Sequence, residues 1–450
     1  MESVHAAAGR VSSSDSLPRG VGPVRPVVII NAVGLTPSLL PHAPHAASIG
    51  EASAWRSPVP AVTLTSQATM LTGASPRQHG IVGNGWWFRE TDEIRFWQQS
   101  HRLLERPVFY RGYRTAKMFW WFNGSPPATY YATPKPHYGC DGSKVFDIID
   151  ATGCDLTRKL GPFPFFSFWG PAAGLPSSRW IADATALVMR EHQPEVTLAY
   201  LPHLDYDHQR LSDPPTSLVA ELDDCVHRIL TAADDIGAEP ILVSEYGLTP
   251  VQRSVSLNRH LRDAGLLGVR SGPFGDQLVP GDCLAFAVAD HQIAHLYVTN
   301  EDEAAGIAKM VEAIPGVAAV VEPSELELDH PRSGRYVVLA ERDAWFNYYF
   351  WSDDANAPDY ARTVDIHRKP GYDPAELFAT SRVRAALRVA QKKLGFRYRM
   401  DIIPLRPELV GGSHGLQAED PSRGPMVVGQ GDLPEDMRDF PDYVRQRLHR

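Results

Sequence analysis

The sequence lacks several features that would assign it to particular protein classes. Its four cysteines are widely scattered and form no CxxC pair, so neither a zinc knuckle nor a disulfide framework is indicated. No run of about 18 apolar residues occurs, so the sequence predicts no transmembrane helix. The first residues have no apolar segment of the kind found in secretory signals. These absences favour a cytoplasmic protein without a membrane partner.

Positive charge is also scarce. The 450 residues include 44 Lys and Arg against 53 Asp and Glu, a net charge of −9. Because a broad nucleic-acid surface needs clustered basic residues, no nucleic-acid partner is expected, although one site could still hold a single nucleotide. The apolar content of 43% and the charged content of 22% are ordinary for a globular protein.

Short apolar runs alternate with helical patterns along much of the chain. Residues 26–34, 196–202 and 240–247 are typical of buried parallel strands, and residues 183–192 and 218–237 have helical spacing of their apolar side chains. This alternation predicts an α/β fold, with a mostly parallel sheet sandwiched by helices.

Changes in this pattern predict the domain organisation. Residues 1–25 are rich in Ser, Gly, Ala and Pro and are expected to form a disordered leader. Residues 260–345 contain short strands around one helix, which predicts an inserted α+β cap subdomain. The core would then consist of residues 26–259 and 346–450.

Polar residues follow the predicted core strands. His203, Asp205 and His208 come after the second strand, and Glu245 and Tyr246 come after the third. Ligands of open parallel sheets lie outside the carboxyl ends of the strands. Oxygen and nitrogen donors that converge there are what a metal site requires.

The segment 60–73, PAVTLTSQATMLTG, has apolar spacing that fits a helix opening just after Thr63. A hydroxyl at a helix N-terminus faces free backbone N–H groups and the positive end of the dipole, which favours an anionic substrate and a nucleophilic oxygen. The alternative is that Thr63 is only an N-cap, which is common.

The order of these segments resembles the type I phosphodiesterase/nucleotide pyrophosphatase family of the alkaline phosphatase superfamily. The family has a Thr or Ser nucleophile, a helix ending in Thr-Gly and then a His-Gly-Ile-x-x-Asn motif. Thr63, the pair at 72–73 and the segment 75–84 (SPRQHGIVGN) reproduce this arrangement. The blocks YLPHLDYDHQR, SEYGLTPV and GSHG, which begin at positions 200, 244 and 412, follow in the family's order. The resemblance covers most of residues 26–255 and 360–430.

The resemblance implies an alkaline phosphatase-like fold and metal-assisted hydrolysis or transfer of phosphodiester or pyrophosphate bonds. The substrate would be a small-molecule phosphate ester, with nucleotides among the candidates, and the cofactor one or two divalent metal ions, usually zinc. By the resemblance, Thr63 is the nucleophile and Asn84 binds a phosphate oxygen. Asp205 and His414 would bind the metal that activates water.

The sequence departs from the family's metal ligands at three places. Val33 stands where the family has Asp, Gln209 where it has His, and Glu245-Tyr246 where it has Asp-His. Glu245 can replace a carboxylate ligand, and His208 lies one residue before the expected histidine. Valine cannot bind metal and tyrosine rarely replaces histidine, so the second metal site, beside Thr63, is the more altered. Tyr246 is left as a candidate substrate-binding residue.

The segment 365–373, DIHRKPGYD, offers replacements for the lost ligands. Asp365 or His367 could complete a metal site. Arg368 and Lys369 could instead neutralise the phosphate.

Two further patterns each have a purely structural interpretation as well as a functional one. The segment 290–295, DHQIAH, has metal-compatible histidine spacing only if helical, and its strand-like flanks predict a structural turn. The aromatic blocks at 85–88, 118–123 and 163–171 are mostly expected in the core. Some of these rings could instead form a slot that stacks a nucleobase or sugar ring.

The lost ligands leave two alternatives to a metal-assisted hydrolase. One is a catalytically silent protein that binds phosphate esters on the same fold. The other is an altered enzyme of specialised metabolism, in which Arg or Lys replaces the second metal.

Overall fold

A computed structural model of the chain describes residues 24–140, 144–213, 215–396 and 398–450. All but the last two residues of the predicted leader lie outside these described residues. The strands are β1 (Val27–Ala32), β2 (Glu51–Ala54), β3 (Gly85–Phe88), β4 (Glu93–Phe96), β5 (Thr115–Met118), β6 (Tyr130–Tyr138), β7 (Lys144–Asp150), β8 (Val196–Leu201), β9 (Glu239–Val243), β10 (Thr249–Pro250), β11 (Arg253–Val255), β12 (Val269–Gly272), β13 (Gly275–Leu278), β14 (Ala285–Asp290), β15 (Ile293–Val298), β16 (Val317–Val321), β17 (Tyr336–Ala340), β18 (Ala344–Phe346), β19 (Gly412–Ser413) and β20 (Met426–Gly429). The helices are α1 (Pro44–Ala47), α2 (Thr63–Thr72), α3 (Pro76–His79), α4 (Leu156–Leu160), α5 (Leu175–His192), α6 (His203–Leu211), α7 (Thr216–Ile236), α8 (Leu257–Asp263), α9 (Glu301–Glu312), α10 (Arg382–Lys393) and α11 (Phe440–Leu448).

The main sheet has the strand order β2-β20-β9-β1-β8-β5-β6-β7. The five central strands, β9, β1, β8, β5 and β6, run parallel to one another, and antiparallel strands flank them on both sides. Every residue of β1 is buried, as expected for a central strand rich in β-branched residues. This sheet confirms the predicted α/β class.

Helices cover the sheet because their apolar faces need a partner. α5 and α7 pack on each other, with α5 against β8 and β5, and α7 against β1 and β9. α2 and α11 form a second packed pair, and α11 also contacts β1. No helix in the described ranges is long and apolar enough to span a membrane.

A separate four-stranded antiparallel sheet, of order β14-β15-β17-β16, lies within the segment predicted as the cap. It has its own apolar core, which includes Leu296, Val311 and Val338, with Val311 contributed by α9. The boundaries at residues 260 and 345 stay predictions.

The carboxyl ends of β1, β8 and β9 meet at one edge of the main sheet, since these strands are parallel neighbours. Gly34 turns the chain after β1 with a φ of 81°, and an added Cβ there would lie 3.4 Å from the backbone nitrogen of Asp205. Glycine therefore allows the β1 turn to approach α6 closely.

Candidate active site

Thr63 is the first residue of α2. The N-cap position belongs to Val62, whose backbone is extended, and no side chain caps this helix. The Thr63 hydroxyl is thus not used as a cap, and its Oγ1 lies 3.0 Å from Oη of Tyr246. The first backbone N–H groups of a helix have no partner within the helix, so Thr63 lies at the end of α2 where such donors are exposed, although the Leu64 N–H is bonded to Asn84.

Asn84 is fixed between α2 and the cap sheet. Its Oδ1 accepts a hydrogen bond from the backbone N–H of Leu64 at 3.0 Å, and its Nδ2 donates to Asp290 Oδ1 at 3.0 Å. The backbone N–H of Asn84 donates to Asp290 Oδ2 at 2.7 Å. The structure thus places Asn84 next to Thr63, and its role in binding a phosphate oxygen stays a prediction.

Glu245 lies beneath Thr63 and is fully buried. Its Oε1 accepts hydrogen bonds from Asn31 Nδ2 at 2.5 Å and Gln67 Nε2 at 2.6 Å, while its Oε2 has no hydrogen-bond partner among the described residues. Burial raises the pKa of the Glu245 carboxyl to about 8, and the two amides and the nearby Thr63 hydroxyl oppose that rise. This carboxyl is therefore mostly protonated at neutral pH, with a minor ionised fraction.

Asp205 and Gln209 lie one turn apart on α6. Gln209 Nε2 donates to Asp205 Oδ2 at 2.8 Å, and Tyr372 Oη donates to Gln209 Oε1 at 2.6 Å. Asp205 Oδ1 has no hydrogen-bond partner in the described part of the chain. Burial raises the pKa of Asp205 to about 7. Both polar atoms of the Gln209 side chain are therefore engaged, and one Asp205 oxygen remains available.

His414 faces that available oxygen. Its Nδ1 donates to the backbone carbonyl of Ala61 at 2.8 Å, which fixes the tautomer, and its Nε2 lies 3.9 Å from Asp205 Oδ1. Burial lowers the pKa of His414 to about 3. The ring is therefore neutral and presents a lone pair toward Asp205.

Four rings form a continuous stack across the site. The ring centroids of Tyr246 and His414 are 3.6 Å apart, those of His414 and His291 are 3.6 Å apart, and those of His291 and Tyr372 are 3.8 Å apart. His291 lies in the turn between β14 and β15, so the predicted turn is present, but its ring belongs to the site. Sequence reasoning missed this role because only the fold brings the cap hairpin onto the core.

A small pocket opens above Thr63, with aromatic side chains as most of its walls. It is lined by Thr63, Trp97, Trp121, Phe168, Trp169, Tyr200, Asp205, Tyr206, Tyr246, His291, Ile366, Tyr372 and His414. Trp121, Phe168 and Trp169 come from two of the aromatic blocks, whereas Trp97 follows β4 and was not foreseen. The stacking of a substrate ring in this pocket stays a prediction.

The donor set does not fit the pair of zinc ions that the resemblance implies. No group of three His, Cys, Asp or Glu side chains in the described residues could hold a metal ion. At the first position Gln209 is hydrogen-bonded to Asp205, which leaves only Asp205 Oδ1 and His414 Nε2. At the second, Val33 offers no donor and Tyr246 lies flat on His414. Zinc sites use at least three protein ligands, so neither position is complete.

The predicted ligand His208 is buried but does not line the pocket. Its ring lies against the turn at Gly34, and an added Cβ there would be 3.5 Å from His208 Cδ2. Burial lowers the pKa of His208 to about 4. The structure therefore does not bring His208 to the predicted metal position.

Asp365 and His367 also lie away from a metal position. The Asp365 backbone N–H donates to Glu376 at 3.0 Å, and the exposed His367 has its Nδ1 3.4 Å from the Phe96 carbonyl. From the same segment, the pocket receives Ile366 and Tyr372 instead. The prediction that Asp365 or His367 completes a metal site is thus corrected.

Neither basic residue of this segment supplies charge to the pocket. Lys369 is 1% exposed, and its Nζ lies 2.6 Å from both Asp373 and Glu376. Arg368 is 56% exposed and pairs with Asp359 at 3.3 Å. These ion pairs correct the prediction that Arg368 and Lys369 bind the phosphate.

Comparisons with known proteins found one family match and several solved structures of similar fold. Residues 27–373 match the sequence profile described as type I phosphodiesterase / nucleotide pyrophosphatase. No curated protein matches the chain significantly. Among solved structures, phosphonoacetate hydrolase from Sinorhizobium meliloti 1021 in complex with phosphonoformate is similar, with 15% identity, a TM-score of 0.59, and coverage of 95% of this chain and 96% of the other. An inactive murine ectonucleotide pyrophosphatase / phosphodiesterase 5 in complex with AMP has 12% identity, a TM-score of 0.56, and coverage of 94% and 95%.

Proposed function

Because the chain belongs to the type I phosphodiesterase / nucleotide pyrophosphatase family, we propose that it hydrolyses a small-molecule phosphate ester with Thr63 as nucleophile. The sequence predicted the family, the alkaline phosphatase-like fold and the class of phosphoester hydrolases, and all three are confirmed. The observation that carries the proposal is the position of Thr63. Its hydroxyl stands at the start of α2, in the pocket, against Tyr246 Oη and beside the Glu245 carboxyl.

The chain's own groups can move the protons of such a reaction. Tyr246 donates its hydroxyl hydrogen to Thr63 Oγ1, and the Thr63 proton passes to the unpartnered Oε2 of Glu245 as Oγ1 attacks phosphorus. The N–H groups at the start of α2, together with Asn84, stabilise the phosphoryl oxygens. The leaving oxygen takes its proton from Asp205.

The second half of the reaction restores the site. A water molecule attacks the phosphorylated Thr63, and the Asp205 carboxylate takes its proton. Glu245 returns its proton to Thr63 Oγ1 as the phosphate leaves. Each carboxyl thus ends in its starting protonation state. With a pKa of about 7 for Asp205 and about 8 for Glu245, the reactive form, in which Glu245 is ionised and Asp205 is protonated, is a minor fraction that is largest between these two pKa values.

The substrate is a small phosphate ester, and nucleotides are among the candidates. The aromatic walls of the pocket favour a leaving group or ester with a flat ring. The related structures bind phosphonoformate and AMP. The pocket has no Lys or Arg among its lining residues, so an ester with a single negative charge fits better than a multiply charged one.

The test measures release of p-nitrophenol from p-nitrophenyl phosphate and p-nitrophenyl thymidine 5′-phosphate, with EDTA and with added zinc. We expect turnover that Thr63→Ala abolishes and that Thr63→Ser, the matched control, largely retains. Acid quenching followed by peptide mass spectrometry should find the phosphoryl group on Thr63. Turnover that survives in Thr63→Ala would contradict the proposal.

A second candidate is a catalytically silent protein that binds phosphate esters. The side chains at the positions of the family's metal ligands favour it. Tyr372 and Gln209 occupy one position with hydrogen bonds, and Tyr246 occupies the other by stacking on His414. Calorimetric binding of a nucleoside monophosphate without turnover, in both wild-type protein and Thr63→Ala, would favour this candidate.

A further inference from the structure

The segment 381–400, SRVRAALRVAQKKLGFRYRM, differs from the rest of the chain in charge. It contains seven Lys and Arg residues and no Asp or Glu, although the whole chain has a net charge of −9. Residues 382–393 of this segment form α10. A basic helix on an acidic protein provides one local surface that attracts anions.

α10 also presents an apolar stripe to solvent. Val383, Leu387 and Leu394 are spaced as one helical face, and their exposed fractions are 70%, 62% and 72%. Phe396 and Tyr398 extend this apolar surface beyond the helix, with exposed fractions of 64% and 37%. Large apolar side chains arranged on one exposed face usually mark an interaction surface.

The polar side of α10 is anchored to the fold, which keeps the stripe facing outward. Arg384 Nη2 lies 2.5 Å from Asp401, and Arg388 Nε lies 2.7 Å from the same carboxylate. The Ser381 side chain caps the helix through the backbone N–H of Arg384. The backbone N–H of Thr380 donates to the carbonyl of Ile402 at 2.8 Å and closes the base of the segment.

The segment leaves the core beside the pocket. Leu377, three residues before Thr380, packs in a small apolar cluster with Ala173 and Tyr206, and Phe378 and Trp169 pack against it. Tyr206 and Trp169 also line the pocket above Thr63. A partner that holds this segment is therefore brought close to a wall of the pocket.

We propose that the α10 surface (Val383, Leu387, Leu394, Phe396 and the flanking lysines Lys392 and Lys393) binds an anionic lipid bilayer from one side. An interfacial helix of this kind buries its apolar face at the headgroup boundary while its basic residues meet anionic headgroups. A second copy docked through the same α10 surface would bring two basic helices together, and their charges would repel. The proposal departs from the expectation of no membrane partner, which considered only spanning and signal segments.

Vesicle co-sedimentation of the full chain tests the proposal. The probes are vesicles of phosphatidylcholine alone and of phosphatidylcholine with about one third phosphatidylglycerol. We expect binding to the anionic vesicles at least roughly tenfold above binding to the neutral ones, weakening as salt is added. Equal binding to both vesicles, or binding to neither, would overturn the proposal.

Substitutions of exposed apolar residues distinguish binding at α10 from nonspecific binding to vesicles. Leu387→Glu with Leu394→Glu should abolish binding. The matched control, Val145→Glu with Phe274→Glu, changes two exposed apolar residues elsewhere and should leave binding unchanged. Equal loss of binding in the control and the α10 variant would overturn the assignment to α10.

Lysine substitutions and a measurement of the oligomeric state test the lipid proposal independently. Lys392→Gln and Lys393→Gln should each weaken anionic binding roughly fivefold while leaving the far-ultraviolet circular dichroism unchanged. Light scattering should show no dimer that depends on Leu387. A dimer lost in Leu387→Glu would assign the stripe to a second copy and overturn the lipid proposal.

Discussion

Glu245→Gln should make the protein more stable at neutral pH while removing its phosphoester turnover. Burial raises the pKa of Glu245 to about 8, against an ordinary value of 4.5. Because the folded pKa is the higher one, the stability contributed by this carboxyl is fully present below pH 4.5 and is lost as the pH rises through about 8. Glutamine is neutral in both folded and unfolded chains and has no such loss.

The size of the effect follows from the same two values. One pKa unit corresponds to about 1.4 kcal/mol of free energy. At pH 7 the loss has accumulated over the interval from 4.5 to 7, which gives about 3 kcal/mol, and above pH 8 it reaches about 5 kcal/mol. The glutamine carbonyl can still accept from Asn31 and Gln67, so the hydrogen bonds to Oε1 are kept.

Urea unfolding of both proteins near pH 5 and near pH 8 measures this difference. The stability gap between Glu245→Gln and the wild-type protein should grow from less than about 1 kcal/mol near pH 5 to about 4–5 kcal/mol near pH 8. As a control, Glu239→Gln should destabilise the protein at both pH values, because Glu239 pairs with the buried Arg447. A gap that does not change with pH, or a less stable Glu245→Gln at pH 8, would refute the reasoning.

Three further outcomes are expected. In single-turnover experiments, Thr63→Ala should form no phosphoenzyme, whereas Thr63→Ser should form it at a measurable rate. The pH profile of kcat/KM should be bell-shaped with a maximum between about 7 and 8, because turnover needs Glu245 ionised and Asp205 protonated. A profile that is flat between about pH 6 and 9 would contradict these roles. Lys369→Met should lower the free energy of unfolding by about 3–5 kcal/mol, since it leaves two buried carboxylates unpaired. Arg368→Met, at the exposed neighbouring residue, should lower it by less than about 1 kcal/mol in the same urea titration.

The core of the fold could be predicted because its signals are local. β1 and β9 are short β-branched or apolar runs that stay buried throughout or nearly so, and α7 has its apolar residues at helical spacing. The alternation of such elements limits the topology to a mostly parallel sheet. Strand order was not predictable in this way, since the place of β20 beside β9 depends on pairing across about 180 residues.

The candidate site could be predicted only where the chain carries a motif. Thr63 and Asn84 fall in one compact block, and the structure places them together. Lys369 was misassigned because its sequence neighbours do not reveal that Asp373 and Glu376 surround it. His291 was missed because a turn residue of the cap reaches His414 only after the cap packs on the core. Contacts between distant segments are not encoded in local spacing.

Gln209→His tests whether one side chain is what excludes zinc from the first metal position. Asp205 Oδ1 and His414 Nε2 remain free and face each other at 3.9 Å, and position 209 lies one helical turn from Asp205. A histidine there would supply a third ligand, the number that catalytic zinc sites use. The change removes the acceptor of the Tyr372 hydroxyl, so it is best combined with Tyr372→Phe.

After dialysis against buffer with a trace of zinc, elemental analysis should find little zinc in the wild-type protein and about one equivalent in Gln209→His with Tyr372→Phe. Tyr372→Phe alone is the control and should stay zinc-free. Binding should raise the melting temperature of the double variant in proportion to the logarithm of zinc concentration, as expected for a ligand of the folded state. If the wild-type protein already holds one equivalent, the hydrogen bond from Gln209 to Asp205 does not close the position, and the argument against zinc at this position is refuted.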